Sequence, residues 1–102
     1  MKMLIVTSLK EYQNAVTTIF LQANIHVFST TGTTGYKDEH SASEIHAWFE
    51  APQETFDSIL MYSFTHNENA YQALDLVQQY NKQYDSGHPL RVFILPVEAS
   101  SY

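Results

Sequence analysis

The residues best equipped for chemistry fall within one short stretch, where Asp38, Glu39, His40, Glu44 and His46 lie close together. Carboxylate oxygen and imidazole nitrogen in such a mixture suit a divalent zinc, nickel or copper(II) ion. His40 and His46 are out of register on a single helix face, so coordination would require the chain to fold around the metal. The plainer reading is a solvated acidic loop with two exposed histidines. A second group, Thr30-Thr31-Gly32-Thr33-Thr34-Gly35, supplies hydroxyls and amides able to hold an anion. It lacks the lysine and the spacing of a P-loop, and a strand-to-loop transition accounts for it equally well. Tyr36, beside Gly35, could stack on a flat ligand or simply occupy a turn. Trp48 and Phe49 form an aromatic pair of the kind that anchors interfaces, unless they fold back onto the body of the protein.

Catalysis has little to draw on. There is no cysteine and no serine in a Gly-x-Ser-x-Gly elbow. His26, His66 and Glu98 could each act as a base, but the sequence offers none of them a partner. The expectation is a protein that binds and is not an enzyme.

Composition narrows the partners. The chain has 102 residues, enough for one domain (1–102), and 44% are hydrophobic, enough for a core without staples. The net charge is −6, and Lys2, Lys10, Lys37, Lys82 and Arg91 are scattered, which disfavours nucleic acid as a partner. The absence of cysteine fits a reducing compartment. No apolar run approaches the roughly 20 residues of a membrane helix, and the first residues lack a secretory pattern. A cytoplasmic protein is expected.

The elements that must position these groups follow from periodicity. Met1–Thr7 reads as a strand. Ser8-Leu9-Lys10-Glu11 has capping-box spacing and opens a helix with Tyr12, Val16, Ile19, Phe20 and Ala23 on one face, stopped near Asn24. Ile25–Thr31 reads as a second strand, and Gly32 and Gly35 break it into a polar loop. Ile45, Trp48 and Phe49 suggest a helical turn or two in that loop, ended by Pro52. Phe56–Phe64 is a third strand. Thr65-His66-Asn67-Glu68 repeats the capping spacing before a helix with Ala70, Ala73, Leu74, Val77 and Tyr80 on its stripe. Gly87 and Pro89 stop that helix, and Leu90–Val97 is a fourth strand.

The order β-α-β-β-α-β predicts an α+β ferredoxin-like sandwich, a four-stranded antiparallel sheet with both helices on one face. The strands, however, are apolar on both sides: Leu4 and Val6 oppose Met3 and Ile5, and Phe93 and Leu95 oppose Val92 and Ile94. Two helices cannot cover both sets, so the open face is expected to pack on further copies of the chain.

Val92-Phe93-Ile94-Leu95-Pro96-Val97-Glu98-Ala99 resembles the final strand of PII signalling proteins, which run I-F-V-x-P-V-E-E-A. Ser63-Phe64-Thr65-His66-Asn67-Glu68 falls where that family turns from its third strand into its second helix, and the segment 36–54 falls where it carries its T-loop. The resemblance in element order covers nearly the whole chain, but the specific motif is eight residues long. It implies a homotrimer with effectors bound in clefts between subunits. The family's Gly-x-Gly-Lys phosphate loop is replaced here by Asp85-Ser86-Gly87-His88-Pro89-Leu90-Arg91. Its basic tail is replaced by Ala99-Ser100-Ser101-Tyr102, and the family's glutamine near Gly32 by Thr33, Thr34, Tyr36 and Lys37. A divergent PII-like protein is implied, not a nitrogen regulator, and its cofactor or effector stays unnamed.

These readings combine into a trimeric sensor or adaptor. A small effector is expected in a cleft lined by Gly32, Thr33, Thr34, Gly35, Lys37, Gly87, His88 and Arg91. Its binding orders the 36–54 loop, which meets a membrane transporter or an enzyme through Trp48 and Phe49. Two alternatives remain open. One is a metal-homeostasis protein using Asp38, Glu39, His40, Glu44 and His46, as in the similarly folded CutA-type trimers. The other is a small ferredoxin-like enzyme with a buried base.

Overall fold

The computed structural model describes residues 1–37, 54–84 and 87–101. Its strands are β1 (Lys2–Leu9), β2 (Ser29–Lys37), β3 (Glu54–Thr65) and β4 (Arg91–Pro96); its helices are α1 (Gln13–Gln22) and α2 (Asn67–Gln83). The strands form one sheet in the order β2-β3-β1-β4, with every neighbouring pair antiparallel. This is the expected ferredoxin-like arrangement, with β1 and β3 in the middle.

Side chains alternate across a pleated strand, so the register assigns each residue to a face. Leu4 and Val6 of β1 lie level with Ser63 and Met61 of β3 and with Ile94 and Val92 of β4. With Ile59 they form the floor onto which both helices pack. From α1 come Val16, Ile19 and Phe20, and from α2 Ala73 and Val77. Phe20, Leu4, Met61, Val6, Val16 and Val77 are fully buried. The opposite face carries Met3, Ile5, Leu60, Tyr62, Phe64, Phe93 and Leu95, and no helix among the described residues covers it. Phe64 and Phe93 are 50% and 52% exposed. The two-sided apolar pattern of the sequence therefore corresponds to one buried face and one bare one.

The end of α1 shows how a single residue redirects the chain. Asn24 adopts φ 60, the left-handed region that asparagine tolerates better than most side chains. That conformation turns its own N–H onto the Leu21 carbonyl at 3.1 Å and the Ile25 N–H onto the Phe20 carbonyl at 2.9 Å. These are the two bonds of a Schellman ending, and the accompanying apolar contact is between Phe20 and Ile25, both in the core.

Two local expectations are corrected. Neither capping box forms. Ser8 is still in β1, where its Oγ donates to the Leu9 carbonyl. A 3-10 turn over Lys10–Tyr12 then precedes α1, which starts behind Tyr12 with no side-chain cap. Thr65 likewise belongs to β3, and His66 precedes α2 without capping it through its side chain. The second strand is also displaced: it runs Ser29–Lys37, not Ile25–Thr31. Ile25 and Phe28 are apolar because they finish the helix end and pack on the core, Phe28 meeting the Phe20 ring edge-on at 5.0 Å between centroids. Gly32 and Gly35 lie inside β2 and do not break it.

Among the described residues no helix is long and apolar enough to cross a membrane.

Candidate functional site

The C-terminal end of β1 lies beside the start of β4 on one side and the start of β3 on the other. β2 and β3 stay paired beyond the end of β1: Thr34 faces Asp57, Gly35 faces Phe56 and Lys37 faces Glu54. The last turn before β4 closes the same corner. Between these segments is a cleft of about 530 Å³, lined by Thr7, Ser8, Leu9, Gly35, Tyr36, Lys37, Phe56, Ser58, Gly87, His88, Pro89 and Arg91. Thr7, Leu9, Gly35, Lys37, Phe56, Ser58 and Arg91 all occupy bare-face positions of their strands. The cleft is therefore one end of the uncovered sheet face.

Two of its walls have specific causes. Gly87 has φ 78, a conformation that strains any residue with a Cβ, and it allows the chain to reverse into His88 and Pro89. Asn81 of α2 then clamps the next residue. Its Nδ2 donates to the Leu90 carbonyl at 2.9 Å, and the Leu90 N–H donates to its Oδ1 at 2.9 Å. The amide side chain thus imitates a strand partner for Leu90, which is only 3% exposed. On the other wall the Phe56 ring lies over Gly35, and a Cβ on Gly35 would fall within the ring atoms. Phe56 and Leu9 also border an adjoining hollow of about 440 Å³ lined by Lys10, Glu11 and Asp57.

The electrostatics are one-sided. Lys37, His88 and Arg91 line the cleft, and among the described residues no carboxylate does. In a chain of net charge −6 this is a local reversal of sign. The Ser58 Oγ donates to the Ser8 carbonyl at 2.9 Å, so the basic side chains and the Thr7 hydroxyl are what the cleft offers a small anion.

Of the residues singled out from sequence, Gly35, Tyr36, Lys37, Gly87, His88 and Arg91 meet in this cleft. Gly32, Thr33 and Thr34 do not line it. They sit in the middle of β2, Gly32 and Thr34 with the helix-side parity of that strand. Their selection rested on a loop at that point, and the chain there is extended. Leu9, Phe56 and Ser58 were missed; their signal was the bare-face alternation of β1 and β3, readable only once register is known. Asp38, Glu39, His40, Glu44, His46, Trp48 and Phe49 lie outside the described residues. Among the described residues no three His, Asp or Glu side chains gather as a metal site would require.

Away from the cleft, His26 and His66 border a shallow hollow of about 300 Å³ with Asn24, Ser63 and Asn69. Both histidines are exposed, so neither is the buried base an enzyme reading calls for. Tyr80 is the one titratable group clearly displaced among those described. Burial, with Tyr12 and Tyr84 nearby, raises its phenol above the ordinary tyrosine range.

No protein-family model matches the chain, and no curated protein matches it by sequence. Among solved structures it is similar to CPII, a nitrogen regulatory PII-like protein from Thiomonas intermedia K12 whose structure holds ADP, AMP and bicarbonate. The TM-score is 0.61 over 97% of this chain and 93% of that one, at 14% identity. The fold is thus PII-like along nearly the whole length, as the sequence resemblance implies.

Proposed function

We propose that this chain is a PII-like sensor that acts by binding, taking a small anionic effector into the cleft at the end of the bare sheet face. The observation that carries the reading is convergence: residues from β2, from the turn at 87–89 and from β4 enclose one cationic cleft in an otherwise acidic chain. The bare face continuous with it supports a homotrimer, because a second subunit laid on Phe93 and Leu95 would also wall the cleft. The β2–β3 ribbon leads from the cleft into the 36–54 segment. An effector held by Lys37 and Arg91 thereby acts on the base of the segment that meets a protein target. The similarity to CPII makes adenine nucleotides and bicarbonate the first effectors to try.

Native mass spectrometry of the protein alone and with ADP, AMP and bicarbonate tests this. The expected result is a trimer taking up one ligand per subunit. Arg91→Ala should weaken that uptake about tenfold or more, because a charge-assisted hydrogen bond contributes about 1.5–3 kcal/mol. A dimer, or a trimer that binds no small anion, overturns the proposal.

A further inference from the structure

We infer that Tyr80 and Tyr84 form a site of oxidative modification, where a one-electron oxidant joins the two rings through a carbon–carbon bond and fastens the last turn of α2 covalently. The site lies outside the binding cleft and does not depend on it.

The two residues are one helical turn apart, and the Tyr84 N–H donates to the Tyr80 carbonyl at 2.9 Å, so the backbone holds them on one side of the helix. Their ring centroids are 4.7 Å apart with the planes tilted by 38°. At that spacing the facing ring carbons are near van der Waals contact, about 3.5–4 Å. Burial divides the roles. Tyr84 is 52% exposed, whereas Tyr80 is half-buried and packed against the core. One ring meets an oxidant arriving from solvent, and the other is held within reach of the first. A purely structural pair would cover the helix end and nothing more. Exposure alone would not select this pair either: Tyr36 and Tyr71 are as open, at 68% and 51%, yet among the described residues neither has a ring beside it. The chain has no cysteine, so no thiol of its own competes for the radical.

The step balances as two one-electron oxidations. Each phenol gives one electron to an oxidant and its proton to water, so two equivalents of oxidant are each reduced by one electron. Burial, with Tyr12 and Tyr84 nearby, keeps the Tyr80 phenol protonated, so its proton leaves together with the electron. The unpaired spin of each ring lies partly on the carbons ortho to oxygen. A bond forms between one such carbon of each ring, and the hydrogens those carbons carried shift to the two oxygens. Both phenols are restored, and the product is two hydrogen atoms lighter. The link would close the turn that also carries Asn81, whose side chain holds Leu90.

The test is photo-oxidation of the full chain by tris(bipyridine)ruthenium(III), generated in light with persulfate, followed by digestion and tandem mass spectrometry. Lys82 lies between the two tyrosines, so cleavage after lysine leaves their peptides joined only if the rings are. The expected product is a single chain linked between Tyr80 and Tyr84, in a yield independent of protein concentration. Tyr80→Phe and Tyr84→Phe keep the ring packing and should each reduce that linked peptide to background. Unfolding in urea should lower its yield about fivefold or more, because the fold and not the sequence spacing holds the rings together. Links to Tyr12, Tyr36 or Tyr71 in comparable yield, links between separate chains, a Tyr80–Tyr84 yield that urea leaves unchanged, or oxygen-bearing products alone overturn the inference. The reading of the cleft stands in every case.

Discussion

Replacing Asn81 should unfasten the cleft from the helix layer, and its magnitude can be worked from two bonds. Asn81→Ala removes both 2.9 Å contacts to Leu90 and leaves that residue's N–H and carbonyl without their partners. Each unsatisfied backbone group in a buried setting costs about 1–3 kcal/mol, and Leu90 is nearly fully buried, so the loss should be about 2–4 kcal/mol. For a domain of this size that corresponds to a melting point lower by about 10 °C or more. The assay is urea denaturation at matched protomer concentration, where the midpoint should fall with little change in slope. Asn81→Asp sharpens the test. It keeps the acceptor for the Leu90 N–H but sets a carboxylate oxygen against the Leu90 carbonyl. Protonation restores a donor there, so the folded state holds that proton more tightly than the unfolded chain does. The variant's deficit should be full at neutral pH and shrink as pH falls through the raised folded-state pKa. Asn81→Ala should show no comparable recovery relative to the native protein. A midpoint within about 0.5 kcal/mol of the native value for Asn81→Ala, or an Asn81→Asp deficit independent of pH, would refute the claim that this amide replaces a strand partner.

Two further outcomes test the fold around the site. Asn24→Gly should stabilise the protein slightly or leave it unchanged, because glycine adopts φ 60 without strain, whereas Asn24→Ala should cost about 1 kcal/mol by thermal denaturation. Ser63 is buried, and its Oγ donates to the Val27 carbonyl at 2.6 Å, tying the stretch before β2 to β3. Ser63→Ala should cost about 1–2 kcal/mol and speed hydrogen exchange at residues 29–31.

The sequence made the element order and the two-faced strands legible, because Leu4, Val6, Met61 and Ile94 alternate cleanly with Ile5, Tyr62 and Phe93. Each strand face carries its own apolar set, and period-two alternation records both. β2 starts later than the apolar pattern suggests because an edge strand need not bury anything: Ser29–Gly35 is built of threonine, glycine and serine, while the apolar Ile25 and Phe28 just before it serve the helix end and the core. The capping spacings were present but idle, since Ser8 and Thr65 were claimed by strands whose ladders satisfy more backbone than a cap would. The cleft was half legible. Gly87, His88 and Arg91 are close in sequence, and Gly35 and Lys37 announced themselves by type. Phe56 and Ser58 belong to the site only through β2–β3 register, which depends on pairings between distant positions that no local pattern encodes.

The placement of β1 between β3 and β4 has a consequence for how the domain comes into being. The strand made first is flanked by two made much later, and its partner in β4 is the last strand made. Until β4 arrives, β1 has one bare edge, and the core lacks Leu90, Val92 and Ile94. Long-range pairings of this kind must overcome their loop-closure entropy before any contact repays it. The domain therefore cannot mature stepwise as the chain emerges. A product interrupted before Arg91 would expose both its strand edge and its helix-side floor, making every incomplete copy visible to chaperones and proteases.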